Sequence, residues 1–130
     1  MMMFRKMKVA ILAAITLLAA AQFTQGASLS SLERDYSKQT QPILQQYCLG
    51  CHSTEKHKGD LDLERFTSFS EVMKHPKVWQ GVVEQLGLGE MPPKDKPQPT
   101  AAEKERLQQW VNDALDAAAQ ARAGDPARSC

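Results

Sequence analysis

The stretch Cys48-Leu49-Gly50-Cys51-His52 constrains this chain more than any other. Two thiols three residues apart, with a histidine beside the second, form the pattern of a c-type haem attachment site. The chemistry sets the spacing. Each sulfur adds to one vinyl group of the porphyrin, and the adjacent imidazole then reaches the iron as proximal ligand. On this reading Cys48 and Cys51 are the thioether attachments and His52 is the fifth iron ligand. The small pair Leu49-Gly50 lets the segment wrap closely around the porphyrin edge. One covalent haem c is the expected cofactor. Three plainer readings compete. A redox Cys-x-x-Cys normally follows a strand in a βαβ unit, and no strand pattern precedes Cys48. A closed zinc site needs a fourth ligand, which Cys130, His57 or His75 would supply only by accident of folding. A structural disulfide across two intervening residues would be strained.

The amino terminus agrees with haem attachment. Arg5, Lys6 and Lys8 precede an uncharged apolar run from Val9 to Ala21. That run is short for a membrane span and fits a secretory signal over residues 1–27, cleaved after Ala21 or Ala27. An uncleaved amino-terminal anchor is the alternative. Thioether attachment in bacteria takes place outside the cytoplasm, where thiols must also be kept from pairing, so a periplasmic or otherwise exported location is expected. Cleavage removes three cations and no acid, which takes the formal charge from +1 to −2. A chain so near neutrality is not expected to bind nucleic acid.

What remains is expected to be one all-α domain over 28–124 with a tail at 125–130. About 100 residues suffice for one modest core, and the haem itself is expected at its centre. The apoprotein should then fold poorly, because a group bound only by the native state supplies stability. Ser28 to Gln41 is polar and expected to begin as a mobile leader, with a helix starting somewhere in Leu32 to Ser37. Pro42 marks a fresh helix start or a kink, after which Ile43, Leu44 and Tyr47 form one apolar face leading into Cys48. Ser53 to Gly59 reads as a polar turn in which His57 is an exposed loop histidine. Leu61 and Leu63 alternate with Asp60 and Asp62 in a short extended piece, and both leucines are expected to be buried.

Thr67 or Ser68 caps a helix from Phe69 to Lys74 that His75-Pro76 ends. A second helix from Pro76 to Leu86 places Val78, Trp79, Val82, Val83 and Leu86 on a broad face, and Gly87 and Gly89 stop it. The chain then delivers Glu90-Met91-Pro92-Pro93. Met91 is the candidate sixth ligand: a thioether sulfur suits haem iron and raises its potential, and Pro92, Pro93, Pro97 and Pro99 limit the freedom the loop loses in holding it. Met73 reads as a core residue, and His75 is the rival ligand. Thr100-Ala101-Ala102-Glu103 is a capping box opening the longest helix, Ala101 to Ala123, about 35 Å long. Its apolar stripe is Leu107, Trp110, Val111, Ala114, Leu115 and Ala118. Gly124 and Pro126 end it, and Cys130 is an odd cysteine.

The layout resembles a class I cytochrome c, and in detail the planctomycete-type cytochrome c domain. The residues that carry the resemblance are Tyr47-Cys48-x-x-Cys51-His52, Lys58-Gly59-Asp60-Leu61-Asp62-Leu63, Trp79-x-x-Val82 with Leu86, Gly89-Glu90-Met91-Pro92-Pro93 and Trp110-Val111. The resemblance covers about Glu33 to Leu115. The resemblance implies covalent haem c, His52 and Met91 as axial iron ligands, and electron transfer outside the cytoplasm. The expected function is that of a monohaem electron carrier and not an enzyme. Its partners are redox proteins, with no membrane contact unless the signal stays uncleaved. Lys56, Lys58, Lys94 and Lys96 flank the haem motif and the methionine loop as a candidate docking rim for an acidic partner. Such domains often stand at the front of longer proteins, so an electron-entry domain of a larger enzyme is one alternative. A haem sensor with an open sixth position is another, and a haem-free disulfide or zinc module is a third.

Overall fold

The computed structural model describes residues 27–124. The expected signal over 1–27, with its Ala21 cleavage point, and the tail with Pro126 and Cys130 therefore lie outside the described residues, apart from Ala27 itself. Five α-helices run along this stretch: α1 Leu29–Asp35, α2 Gln41–Tyr47, α3 Phe69–Lys74, α4 Pro76–Leu88 and α5 Ala101–Ala123. There is no strand among the described residues, as the all-α expectation requires.

The polar start is a helix and not a mobile leader. The Ser28 hydroxyl accepts from the Ser31 N–H at 3.2 Å and caps α1. Leu32 and Tyr36, one helical turn apart, are each 2% exposed. Two long-range bonds fasten them: Trp110 Nε1–H donates to the Leu32 carbonyl at 3.0 Å, and the Tyr36 hydroxyl donates to the Phe66 carbonyl. Between α1 and α2 the helix widens into one π turn, Tyr36–Thr40, with Gln41 N–H bonded to the Tyr36 carbonyl five residues back. Pro42 is the reason. Its missing N–H and its ring cannot sit on the carbonyl four residues earlier, and a wider turn absorbs the mismatch without ending the helix.

Helix α3 begins at Ser68, whose hydroxyl accepts from Glu71 N–H at 3.3 Å. Helix α4 runs through Gly87 to Leu88 and stops at Gly89, which takes the left-handed φ of 72° that closes a helix. Gly87 thus does not stop it. The Thr100–Glu103 capping box forms in both directions, at 3.2 Å and 2.8 Å. Helix α5 is the hub: α4, α3, α1 and the π turn all pack on it. Its stripe is buried as far as Ala118, and the alanine-rich turns beyond are exposed.

The core does not centre on a haem site. It closes around aromatic rings: Tyr36 stacks on Trp110 at 5.2 Å, Trp79 meets Trp110 edge-on at 5.8 Å, and Phe66 meets Trp79 at 5.3 Å. Few aromatics suffice because each buries a large area and edge-to-face pairs add to it. The broad apolar face of α4 is accordingly divided. Trp79 (0% exposed) and Leu86 (4%) enter this core, whereas Val78, Val82 and Val83 are only half-buried.

Candidate functional site

A cavity of about 720 Å³ lies beside that core, with Leu63 and Leu86 in the walls of both. Its size and its mainly apolar lining suit a cofactor. The lining comes from four pieces of chain: Tyr47, Cys48, Cys51 and His52 after α2; Lys58 to Leu61 with Leu63; Lys77, Val78, Gly81, Val82, Gln85 and Leu86 on α4; and Met91, Pro92, Pro93, Asp95 and Lys96 beyond it. Cys48, Cys51, His52 and Met91, chosen from the sequence, all line this one space. The rival ligands do not. His75 packs edge-on against Phe66 at 5.6 Å. His57 is exposed in its loop, 3.7 Å from Asp62. Met73 packs against the core, as expected.

The attachment segment is held by backbone bonds that its sequence position dictates. Helix α2 unwinds at Cys48, where both Cys48 N–H (2.8 Å) and Leu49 N–H (3.0 Å) reach the Leu44 carbonyl. One further turn follows, with His52 N–H on the Cys48 carbonyl at 2.9 Å. The loop after it returns and closes on the motif: Lys58 N–H bonds the Cys51 carbonyl (3.1 Å) and Leu63 N–H bonds the His52 carbonyl (2.8 Å). To make that return, His57, Gly59 and Asp60 adopt φ of 43°, 66° and 54°, the left-handed region that is costly for two of the three. Thr54 supports the return by donating to Glu64 and Asp62. Leu63 is buried and Leu61 half-buried at the cavity wall, so only one of the two leucines enters the core.

Cys48 and Cys51 are free thiols. Burial pushes the Cys48 thiol up to about 11, so it is protonated at neutral pH. That is opposite to the lowered pKa of a redox-active cysteine pair. His52 Nδ1 is buried with no hydrogen-bond partner. A buried polar atom left without a partner on a cavity-lining residue is what a site shaped around an absent group leaves behind. No group of three or more His, Cys, Asp or Glu side chains among the described residues is arranged to hold a metal ion, so the zinc alternative finds no fourth ligand there. The donors present, two thiols, an imidazole and a thioether around an apolar space, fit a covalently held haem.

The methionine loop is fixed at both ends. The Gln85 carbonyl accepts from Glu90 N–H (3.1 Å) and Met91 N–H (3.3 Å) where α4 ends. The Gln98 side-chain amide donates to the carbonyls of Pro92 (3.2 Å), Pro93 (2.8 Å) and Lys96 (3.0 Å). Met91 itself is 39% exposed. Two residues have supporting roles that carried no signal in the sequence. Gln98 is one: nothing in its neighbourhood marks it as the brace of a loop six residues back. Glu103 is the other. It closes the capping box and also accepts the Tyr47 hydroxyl at 3.1 Å, tying the residue before Cys48 to the start of α5. Burial and the neighbouring carboxylate push the Tyr47 phenol up. Glu103 is held down, first by the Thr100 N–H and hydroxyl. At the cavity mouth Lys96 lies 3.2 Å from Asp95 and holds its carboxyl down. Of the proposed docking lysines, Lys58 and Lys96 line the cavity; Lys56 turns to the Gly50 carbonyl at 2.9 Å, and Lys94 is exposed.

Residues 48–95 match the family model described as planctomycete cytochrome C. No curated protein and no solved structure matches the chain.

Proposed function

We propose that this chain is an exported monohaem electron carrier, since residues 48–95 match the family model described as planctomycete cytochrome C and such a domain suggests haem-based electron transfer. One observation carries the reading: Cys48, Cys51, His52 and Met91, from two segments separated by α3 and α4, line the same cavity. Cys48 and Cys51 would hold the haem through thioethers, and His52 and Met91 would present a nitrogen and a sulfur to the iron. When bound, haem supplies the chemistry itself, the cycling of iron between ferric and ferrous states. With His52 and Met91 as the side chains that would bind the iron, the reading requires no substrate and no enzyme activity. Val78, Val82, Leu61 and Leu63 exclude water, which with the axial ligands is the protein's means of setting the potential. Lys58, Lys77 and Lys96 bring ammonium groups to the cavity wall, where the porphyrin's carboxylates need partners.

Cytochrome c domains are typically exported, and no helix among the described residues is long and apolar enough to cross a membrane. A periplasmic location, reached through the 1–27 signal, belongs to this proposal. So does an acidic redox partner that docks on the lysines around the cavity mouth, where charge acts mainly on encounter rate. The exposure of Met91 (39%) favours one second reading, a haem site with an exchangeable sixth position.

Visible spectra of the chain matured with a c-type system test both, with Met91→Ala alongside. A covalently retained low-spin haem whose methionine-to-iron band vanishes in the variant supports the carrier. A high-spin haem that binds carbon monoxide readily, unchanged by the substitution, supports the second reading. A colourless protein overturns both.

A further inference from the structure

A glycine in a helix interior costs about 1 kcal/mol relative to alanine, so a chain that keeps one gains something from the missing side chain. Gly81 is such a residue. It sits in the middle of α4 (Pro76–Leu88) with ordinary helix formers on both sides. It needs no left-handed backbone: the glycines with positive φ are Gly59 and Gly89. It is not packed against another element either, because a Cβ built on it meets no atom within 4 Å. Neither turn geometry nor close helix packing therefore explains it. Its place does. Gly81 lines the cavity between Val78 and Val82, with Lys77 and Gln85 one turn to either side. These five positions form one stripe of the helix, apolar in the middle and polar at both ends.

We infer that Gly81 is the clearance residue of the haem site, leaving the backbone of α4 bare so that the flat porphyrin can lie against the helix between Val78 and Val82. The inference rests on the haem reading above and adds a positioning residue to it. Val78 and Val82 flank the ring and Gly81 lets it approach. A side chain at 81 would stand where the ring must come, while being harmless to the helix itself. Gly87 supplies the matched comparison. It lies in the same helix, is exposed, does not line the cavity, and would place a Cβ 3.7 Å from the flexible end of Gln108.

The test compares two series in the full chain co-expressed with a c-type maturation system: Gly81→Ala and Gly81→Leu against Gly87→Ala and Gly87→Leu. Haem covalently retained per chain and the visible spectrum are measured, with circular dichroism as the check on helix content. At position 81 retention is expected to fall stepwise from glycine to alanine to leucine, reaching about a tenfold loss, the scale of forcing a side chain into a filled site. The position 87 series is expected to hold wild-type retention and spectrum. Equal retention and unchanged spectra in both series, with a haem-loaded wild type, would overturn the role of Gly81 and leave the haem reading standing. A wild type that retains no haem would overturn both. Loss of helix in Gly81→Ala would also count against the inference, since clearance predicts a helix that is intact or firmer.

Discussion

Helix α4 has two sides that do opposite things. One side drives Trp79 into a core that the chain closes with its own side chains, Tyr36, Phe66, Phe69 and Trp110 among them, and Leu86 stands on the border between that core and the cavity. The other side offers Val78, Gly81 and Val82 to a cavity of about 720 Å³. Adjacent residues thus belong to different regions: Trp79 is 0% exposed, and Val78 beside it is only half-buried. The difference teaches that stability and cofactor binding occupy separate faces of one helix. Substitutions on either face should register mainly in that face's own measurement.

The largest break comes from removing the attachment. A Cys48→Ala, Cys51→Ala double variant is expected to retain no covalent haem on a denaturing gel, while circular dichroism still reports the helices that the aromatic core holds. Loss of all helix would mean that the two regions are one cooperative unit after all. Next is the core itself. Trp110→Ala removes a residue that touches Tyr36, Phe69 and Trp79 and bonds the Leu32 carbonyl. It is expected to cost about 3–5 kcal/mol in urea unfolding, a large part of the 5–15 kcal/mol typical of a domain. Val82→Ala on the cavity wall is expected to cost only about 1 kcal/mol, since part of its surface is already exposed. If the two costs are equal, the division of α4 is wrong.

A finer cut tests the brace of the methionine loop. Gln98→Ala removes an amide shared among three carbonyls and is expected to weaken the loop by about 1 kcal/mol. The readout is bleaching of the methionine-to-iron band at lower temperature with haem content unchanged. The effect confined to the narrowest range of conditions is in the pH dependence. Burial takes the Tyr36 phenol from its ordinary 10.0 up to about 12. The native chain keeps a proton there that the unfolded chain gives up. The stability this supplies is complete below pH 10 and falls as pH rises from 10 through 12. Tyr36→Phe should flatten that alkaline slope. An unchanged slope would assign it to another group.

Local signals were read well from the sequence, and long-range ones were not. The capping box at Thr100, the Ser68 cap and the span of α5 rest on residues within a few positions of one another. What escaped depends on partners far along the chain. Leu32 and Tyr36 look too sparse to bury until Trp110, 78 residues after Leu32, bonds to its carbonyl. The haem looked like the centre of the core because the aromatics are few, and sequence does not reveal that they converge. Gly87 resembled a helix stop, yet Gly89 carries the left-handed turn. The brace from Gln98 and the unpartnered, buried His52 Nδ1 are matters of three-dimensional placement with no local pattern.

The bond from Tyr47 to Glu103 has a topological consequence. It brings the residue before the haem motif to the first turn of the last helix, so the chain from Cys48 to Thr100 leaves and returns at one point, like a drawer closed by a single latch. The segment that carries the family likeness, 48–95, lies wholly inside the drawer. The helices on either side, Leu29–Tyr47 with its π turn and Ala101–Ala123, are the cabinet. Trp79 and Phe69 both reach from the drawer onto Trp110 in the cabinet's wood, and Trp79 also meets Tyr36. A redesign of the outer helices that is to leave the cofactor's surroundings as they are therefore has to keep the latch and the sockets for Trp79 and Phe69.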